Sequence, residues 1–319
     1  MIHRFQREIS VGLAYVLLLL VLFFASPSFF RGNQFLSTLV AAAPMLVAAI
    51  GMTLVILARH IDISIGSQLS VCGVAAGLLA KSDLPMPAVA LVIILLGGSL
   101  GSVNGALVAC LGLPSIVVTL ATMVILRESL RWWREGEFVR DLPPDFQWFG
   151  FTQDAGQWLM ILIALAIFAI FAWSLKNLAA GRAVYATGSS PEAAFLAGLQ
   201  PRSVTFGVFV AAGALTGLAA VLHSVRFAAV DPNAGSGKEL AVIAAVVVGG
   251  VAISGGRGTL IGPLLGVLLL GTIGPALVFL GAEAHWEKAI QGLIILLAVA
   301  GDAFQLTRRA HVGAQLATH

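Results

Sequence analysis

Charge is what this chain has least of. Only 10% of its 319 residues are Asp, Glu, Lys or Arg, against about 25% in soluble domains, while 59% are hydrophobic and the mean hydropathy is +0.99. So few charges cannot cover so much apolar surface, which excludes a soluble globular fold. A net charge of +3 is too small to suggest a nucleic-acid partner. Cysteine is equally scarce: Cys72 and Cys110 both fall inside apolar runs, which excludes a disulfide framework and leaves them as packing residues. No G-x-x-x-x-G-K-[ST] occurs, and Gly237-Lys238 is followed by Glu239, so the chain has no nucleotide-binding loop of its own. The histidines at 3, 60, 223, 285, 311 and 319 show neither H-E-x-x-H nor paired spacing, so no metal site is predicted. A G-x-S-x-G match begins at Gly97, but no strand precedes it. Gly97, Gly101 and Gly105 recur every four residues on one helix face, the pattern of close helix packing and not of a nucleophile elbow. No catalytic residue and no cofactor are predicted.

What the chain does have is uncharged runs, at 9–30, 32–58, 63–80, 84–126, 155–175, 203–225, 240–256, 258–282 and 289–301. The fourth is too long for one helix, and Gly112 with Pro114 divides it, because proline removes a helical donor and restricts the residue before it. The last run is short and is extended by Trp286 and by 303–306, past Asp302. The reading is an all-α, polytopic integral membrane protein, one domain over 1–319, with about ten transmembrane helices and roughly 8 to 10 as the range. The Ala-Ser-Pro at 25–27 looks like a signal-peptidase site, but the run 9–30 is long enough to cross a ~30 Å core and is read as a retained helix.

Lysine and arginine in short loops set the orientation. Arg4 and Arg7, then Arg59, then Lys176, Arg182 and Arg202, then Arg257, then Arg308 and Arg309 mark inside segments. In the loop 127–154 the arginines are outnumbered by carboxylates, and Trp132, Trp133 and Trp148, with Trp158 just beyond, read as interface anchors. That loop is expected outside, in the periplasm, either as the landing surface for a partner or as a solvated connector. Both termini and the segment 176–202 are then expected in the cytoplasm.

Three stretches interrupt the apolar pattern. The first runs from Gly181 to Arg202, closes on YATGSSPEAAFLAGLQPR, and is a polar island. A helix is predicted to start at Ser189 or Ser190, with Pro191 in its first turn and Glu192 at the positive end of its dipole. Its Ala193-Ala194 face is small enough to enter a groove on another protein; the plain alternative is an ordinary surface turn. The second, GMTLVILARHIDISIGS from Gly51 to Ser67, places Asp62 between apolar runs. A carboxylate there is costly in lipid, so it is expected at an interface, in a watery cavity or beside Arg59. It either caps the helix starting near Ile63 or, with Ser64 and Gly66, lines or gates a pathway. The third, VGGVAISGGRGTLIG from Val248 to Gly262, carries Gly255, Gly256, Arg257 and Gly258 as a tight turn between two membrane helices.

In this order and spacing the three stretches resemble the membrane permease of ribose-type ATP-binding-cassette importers, a family that also serves other monosaccharides, rhamnose and autoinducer-2. The resemblance covers nearly the whole chain. It implies a permease in the bacterial inner membrane that pairs with a second permease copy, identical or similar. It further implies a separate cytoplasmic ATPase subunit, which holds the ATP and magnesium, and a periplasmic sugar-binding protein. Gly181, Arg182, Tyr185, Gly188, Glu192, Ala193, Ala194 and Gly198 would form the coupling helix region facing the ATPase. Ribose permeases place Thr-Gly-Gly ahead of the Ile-Asp, where this chain has Ala58-Arg59-His60. That pair, Trp132-Trp133 before Gly136, and Leu142-Pro143 resemble the rhamnose and autoinducer-2 branches, so the narrow expectation is a deoxyhexose such as rhamnose. Two other classes compete with this reading. An ion-coupled transporter or channel would use Asp62 as its carrier but leaves the E-A-A-x-x-x-G island unused. A membrane enzyme would need a catalytic cluster, and none is found.

Overall fold

The computed structural model of the chain describes residues 6–31, 33–82, 84–283, 286–294 and 296. Eleven α-helices are defined among these residues: α1 (Gln6–Ala25), α2 (Gln34–Leu57), α3 (Ile65–Ala80), α4 (Met86–Ala109), α5 (Ser115–Arg134), α6 (Gln153–Asn177), α7 (Ala179–Ser189), α8 (Pro191–Leu196), α9 (Pro201–Ser224), α10 (Lys238–Val248) and α11 (Ile261–Phe279). Extended pairing among the described residues is confined to one antiparallel bridge between Val139 and Val230.

Among the described residues six helices are long and apolar enough to cross a membrane: α1 from Arg7, α2, α4, α6, α9 and α11. The chain is therefore a multi-pass membrane protein, but six full-length spans stand where about ten were expected. Gly112, at φ +70°, and Pro114 do separate α4 from α5. The shortfall has three sources. First, α3 has 16 residues and α10 has 11, reaching about 24 and 17 Å at 1.5 Å per residue. Second, α5 carries Arg127, Glu128, Arg131 and Arg134 in its last two turns, so the loop expected at 127–154 begins after Arg134. Third, of the run 289–301 only 289–294 and 296, all helical, are among the described residues. A run of apolar residues reports burial, not helical continuity, and the runs at 63–80 and 240–256 both include non-helical backbone.

The core is built on α2. Every face of VAAAPMLVAAIGMTLVIL is apolar, the composition of a helix with protein on all sides, and its residues from Leu46 to Leu57 are all buried. It packs on α9, α6 and α11. Helices α4 and α9 form the tightest pair. A Cβ on Gly97 would strike the Gly213 carbonyl, one on Gly101 the Phe209 carbonyl, and one on Gly105 would lie 3.1 Å from the Phe206 carbonyl. The glycine stripe read in the sequence is thus a backbone-to-backbone seam. The opposite face of α4, with Leu91, Val92, Leu95 and Val103, is exposed, as a lipid-facing surface must be.

Chain direction alternates through the bundle and gives it two ends. At one end the Gly256 amide donates to the Leu57 carbonyl at 2.9 Å, Thr259 donates to Glu8, and Arg59 touches Gly255. This end therefore gathers Arg7, Arg59, Lys176, Arg182, Arg202 and Arg257, the residues expected to share one side of the membrane; Arg4, Arg308 and Arg309 lie outside the described residues. At the other end residues 135–152 are tied to 225–237 through Val139–Val230 and through the Trp148 amide on the Val225 carbonyl. Trp132 and Trp158 are exposed as anchors should be, but Trp148 is packed against Gly156.

Helix α9 and its neighbour α4 offer a matched pair of substitutions. Gly101→Val drives a side chain into the Phe209 carbonyl and is expected to cost about 1–3 kcal/mol, seen as a lower melting temperature of detergent-purified protein. Gly207→Val, where nothing lies within 4 Å, is expected to leave the melting temperature unchanged. Equal behaviour of the two would show that the α4–α9 seam does not hold the bundle together.

Candidate functional site

The backbone between α2 and α3 leaves the helix at Ala58, with Arg59 in the left-handed region at φ +71°, and does not resume it until Ile65. The hydrogen-bonding groups it frees inside an apolar bundle need partners. Helix α5 supplies two of them: Ser115 Oγ accepts the Ile61 amide at 3.3 Å, and Thr119 Oγ1 accepts the Ile63 amide at 3.1 Å. Asp62, with 0% of its surface exposed, takes both the amide and the hydroxyl of Ser64. Ser64 Oγ in turn accepts from Gln68 Nε2 at 2.7 Å and from Asn104 Nδ2 at 2.9 Å, and Asn104 Oδ1 accepts from Thr122 at 2.7 Å. The single Ser64 hydroxyl proton goes to Asp62, so the carboxylate is the acceptor on which the network ends.

Asp62 therefore closes a local turn on Ser64, the residue before α3, and caps no amide inside that helix. Arg59, the cation expected as one of three settings for Asp62, is exposed and bonds no atom of it among the described residues. His60 lies beside Arg59 at the α8 end, with its Nε2 3.3 Å from Thr205 Oγ1.

Gly66 sits where α3 begins and α10 approaches; a Cβ there would strike Glu239 Oε2. Glu239 forms an ion pair with Arg127 at 3.0 Å, joining α10 to α5. Two cavities flank this point. One, of about 260 Å³, is lined by Gly66, Ser67, Ser70, Arg127, Asn233 and Ser236 among others. The other, of about 490 Å³, lies between α2, α10 and α11 and has mostly apolar walls, with Lys238 and Glu287 at its edge.

The polar island folds as α7 and α8. Ser190 caps α8 by accepting the Ala193 amide at 3.2 Å, with Pro191 at the first position and Glu192 following. Gly198 closes the turn at φ +82°, where a side chain would be strained. The Ala-Ala face does not form as expected: Ala193 is exposed but Ala194 is only 4% exposed, and the outward surface is Phe195 (69%) and Leu196 (85%). Neighbouring residues on an α-helix lie about 100° apart, and of the two alanines Ala194 is the one turned inward. Gly181 presses α7 onto Leu175, and Arg182 donates to the Asn177 carbonyl.

The three stretches that were separate in sequence meet in space. Gly188 abuts the Leu57 carbonyl and the Gly256 amide. Tyr185 donates to the Gly258 carbonyl at 2.9 Å, and Gly255, at φ +81°, lies between Arg59 and the Gly188 carbonyl. Arg257 is exposed, and its carbonyl accepts the Ala252 amide. The functional groups that sequence reasoning passed over are Ser115, Thr119, Thr122, Gln68 and Asn104, together with the Arg127–Glu239 pair. For the first five a signal was available, since each is a polar residue in an otherwise apolar stretch; Arg127 opens a charged stretch that gives no sign of its partner.

A polytopic helical bundle with two broken helices at its centre and a short polar helix pair on one end defines a membrane transport permease. The chain belongs to the family described as branched-chain amino acid transport system / permease component, whose profile matches residues 34–299. It is 33% identical over 301 residues to the autoinducer 2 import system permease protein LsrC of Escherichia coli O9:H4 (strain HS), covering 93% of this chain and 87% of that one. It is 32% identical over 312 residues to the ribose import permease protein RbsC of Haemophilus influenzae, with 97% of each chain covered. No solved structure gives a significant match.

Removing the acceptor at the centre of the network is the direct test of its role. Asp62→Ala leaves the Ser64 amide and hydroxyl buried without a partner, at about 1–3 kcal/mol each, and is expected to lower both the melting temperature and uptake. Arg59→Gln is expected to leave the melting temperature where it was. A loss in Arg59→Gln equal to that in Asp62→Ala would show that a charge pair, not the Ser64 network, holds the break.

Proposed function

We propose that this chain is the membrane permease subunit of an ATP-binding-cassette importer carrying a monosaccharide or a similarly small polar solute, the narrow choice being a deoxyhexose such as rhamnose. Ribose and autoinducer-2, named for its relatives, are the other candidates. In this reading the α7–α8 end faces the cytoplasm together with both termini, and the 135–152 end faces the periplasm and its sugar-binding protein. The ATPase pair docks on α8, and a second permease copy completes the pathway.

One observation carries the reading: α7 sits on the end of α2 through Gly188, the Leu57 carbonyl and Gly256, with no side chain between the backbones. Force applied to α8 passes into the Gly249–Gly258 turn and into the segment 58–64, because packed backbone is nearly incompressible. Phe195 and Leu196 are large apolar side chains held on a capped, rigid turn outside the long helices, the kind of anchor that enters a partner's groove. The ion-coupled alternative gains nothing from Asp62, which is committed to Ser64 and lines neither of the two cavities.

Reconstitution tests this directly. Uptake into vesicles is expected only when an ATPase subunit and a binding protein are added; uptake by the chain alone under an ion gradient would overturn the importer reading. The double variant Phe195→Asp, Leu196→Asp is expected to keep the wild-type melting temperature and to lose substrate-stimulated ATP hydrolysis, with the ATPase no longer co-purifying. Normal uptake in that variant would remove α8 from the coupling. Ala194→Trp is not equivalent, since Ala194 is buried and its replacement probes packing instead.

A further inference from the structure

We propose that the cavity of about 260 Å³ between α3, α5 and the segment leading into α10 is a binding site for a single neutral, polyhydroxylated ring, and so a monosaccharide subsite within the permease itself. The proposal rests on the importer reading for its substrate class and adds to it a place and a set of residues.

The lining is the first argument. In a chain this apolar, one cavity collects Ser67 and Ser70 from α3, Arg127 from α5, and Asn233 and Ser236 from the approach to α10. The buried side chain of Leu130 supplies an apolar patch for the carbon face of a ring. A few convergent polar groups beside an apolar surface are the usual form of a small-ligand site. Bonds already made leave capacity over: Ser70 Oγ accepts the Gly235 amide at 3.0 Å and keeps its own proton, Ser67 donates to the Ser64 carbonyl and keeps its lone pairs, and Arg127 uses one nitrogen on Glu239. Glu239 lies behind Gly66 and acts on the cavity only through Arg127, whose charge it balances.

Charge decides the class of ligand. Arg127 is neutralised by Glu239, and Arg131, also on the wall, pairs with Glu128 at 3.2 Å; Glu135 adds a further negative group. The cavity holds no surplus positive charge for an anion among its described lining. Its volume lies just under the ~300–1,000 Å³ typical of drug-sized ligands, which suits one ring and not two.

Position gives the site a direction. The wall at Glu135 and Gly136 belongs to the end away from α8, and both residues are exposed. The floor at Ser67 is one turn from Ser64 and its network. From there Asn104, Thr122, Thr119 and Ser115 continue a polar seam along α5 toward His60 and Thr205 at the α8 end. The cavity is the mouth of that seam.

The test uses the full-length permease in nanodiscs with Cys110, the exposed cysteine, replaced by alanine. Asn233→Cys places a single accessible thiol on the cavity wall, and Leu240→Cys places one on the 490 Å³ cavity. Maleimide labelling is followed with D-ribose, L-rhamnose, D-xylose, D-galactose, autoinducer-2 or inorganic phosphate present. At least one sugar is expected to slow labelling of Asn233→Cys, by about tenfold when held at ten times its Kd, with phosphate without effect and Leu240→Cys unprotected. Protection by phosphate alone, protection only at Leu240→Cys, failure of Asn233→Cys to label at all, or no protection by any sugar would each overturn the site. Uptake by the reconstituted complex is scored separately. ATP-driven uptake without protection sinks this site and spares the importer reading, whereas protection without ATP-driven uptake does the reverse.

Discussion

A backbone that leaves the α-helix inside a bilayer must find a partner for every amide and carbonyl it releases, because lipid offers none. Residues 58–64 find several of these partners within the bundle, and much else follows from their need. Ser115 and Thr119 sit on the face of α5 that meets the break, Asp62 turns back on Ser64, and Gln68, Asn104 and Thr122 close the ring around that serine. Polar side chains in this chain are few, and the described interior concentrates a large share of them here. An unconnected set would cost more than an apolar core; a connected one fixes a single geometry.

Much of the local structure was legible in the sequence because local chemistry wrote it. Ser190, Pro191 and Gly198 start and stop α8 by capping and by positive φ, Gly112 and Pro114 separate α4 from α5, and Gly97, Gly101 and Gly105 mark a helix seam. The three unusual stretches were also found, though not that they would touch. What was not legible depends on depth and partner. Apolar runs do not tell a helix that crosses from one that starts halfway, as α3 and α10 do. Arg127 reads as loop until Glu239 is known to face it, Ala194 reads as surface until its flank is known, and Trp148 reads as an anchor until Gly156 is seen beneath it.

The same arrangement occurs twice. A 24-residue helix, a non-helical segment and a short helix follow one another as α2, 58–64, α3 and again as α9, 225–237, α10. The two breaks come together where Gly66 meets Gly235 and where the Ser70 hydroxyl takes the Gly235 amide. One break begins at the end that carries α8 and the other at the opposite end. Arg127 and Glu239 brace the place where the second break meets the start of α3.

The burial of the second half of α2 has a consequence for the membrane itself. Bilayers differ in thickness, and helices bathed in lipid tilt to match; here α1, α4 and α6, with their broad exposed faces, are the ones that answer to it. Helix α2 is enclosed by protein over its second half, from Leu46 to Leu57. The contact that receives α7 lies on its last residue, Leu57. The permease thus carries an internal datum line, and its working geometry is measured from the protein's own axis and not from the lipid that surrounds it.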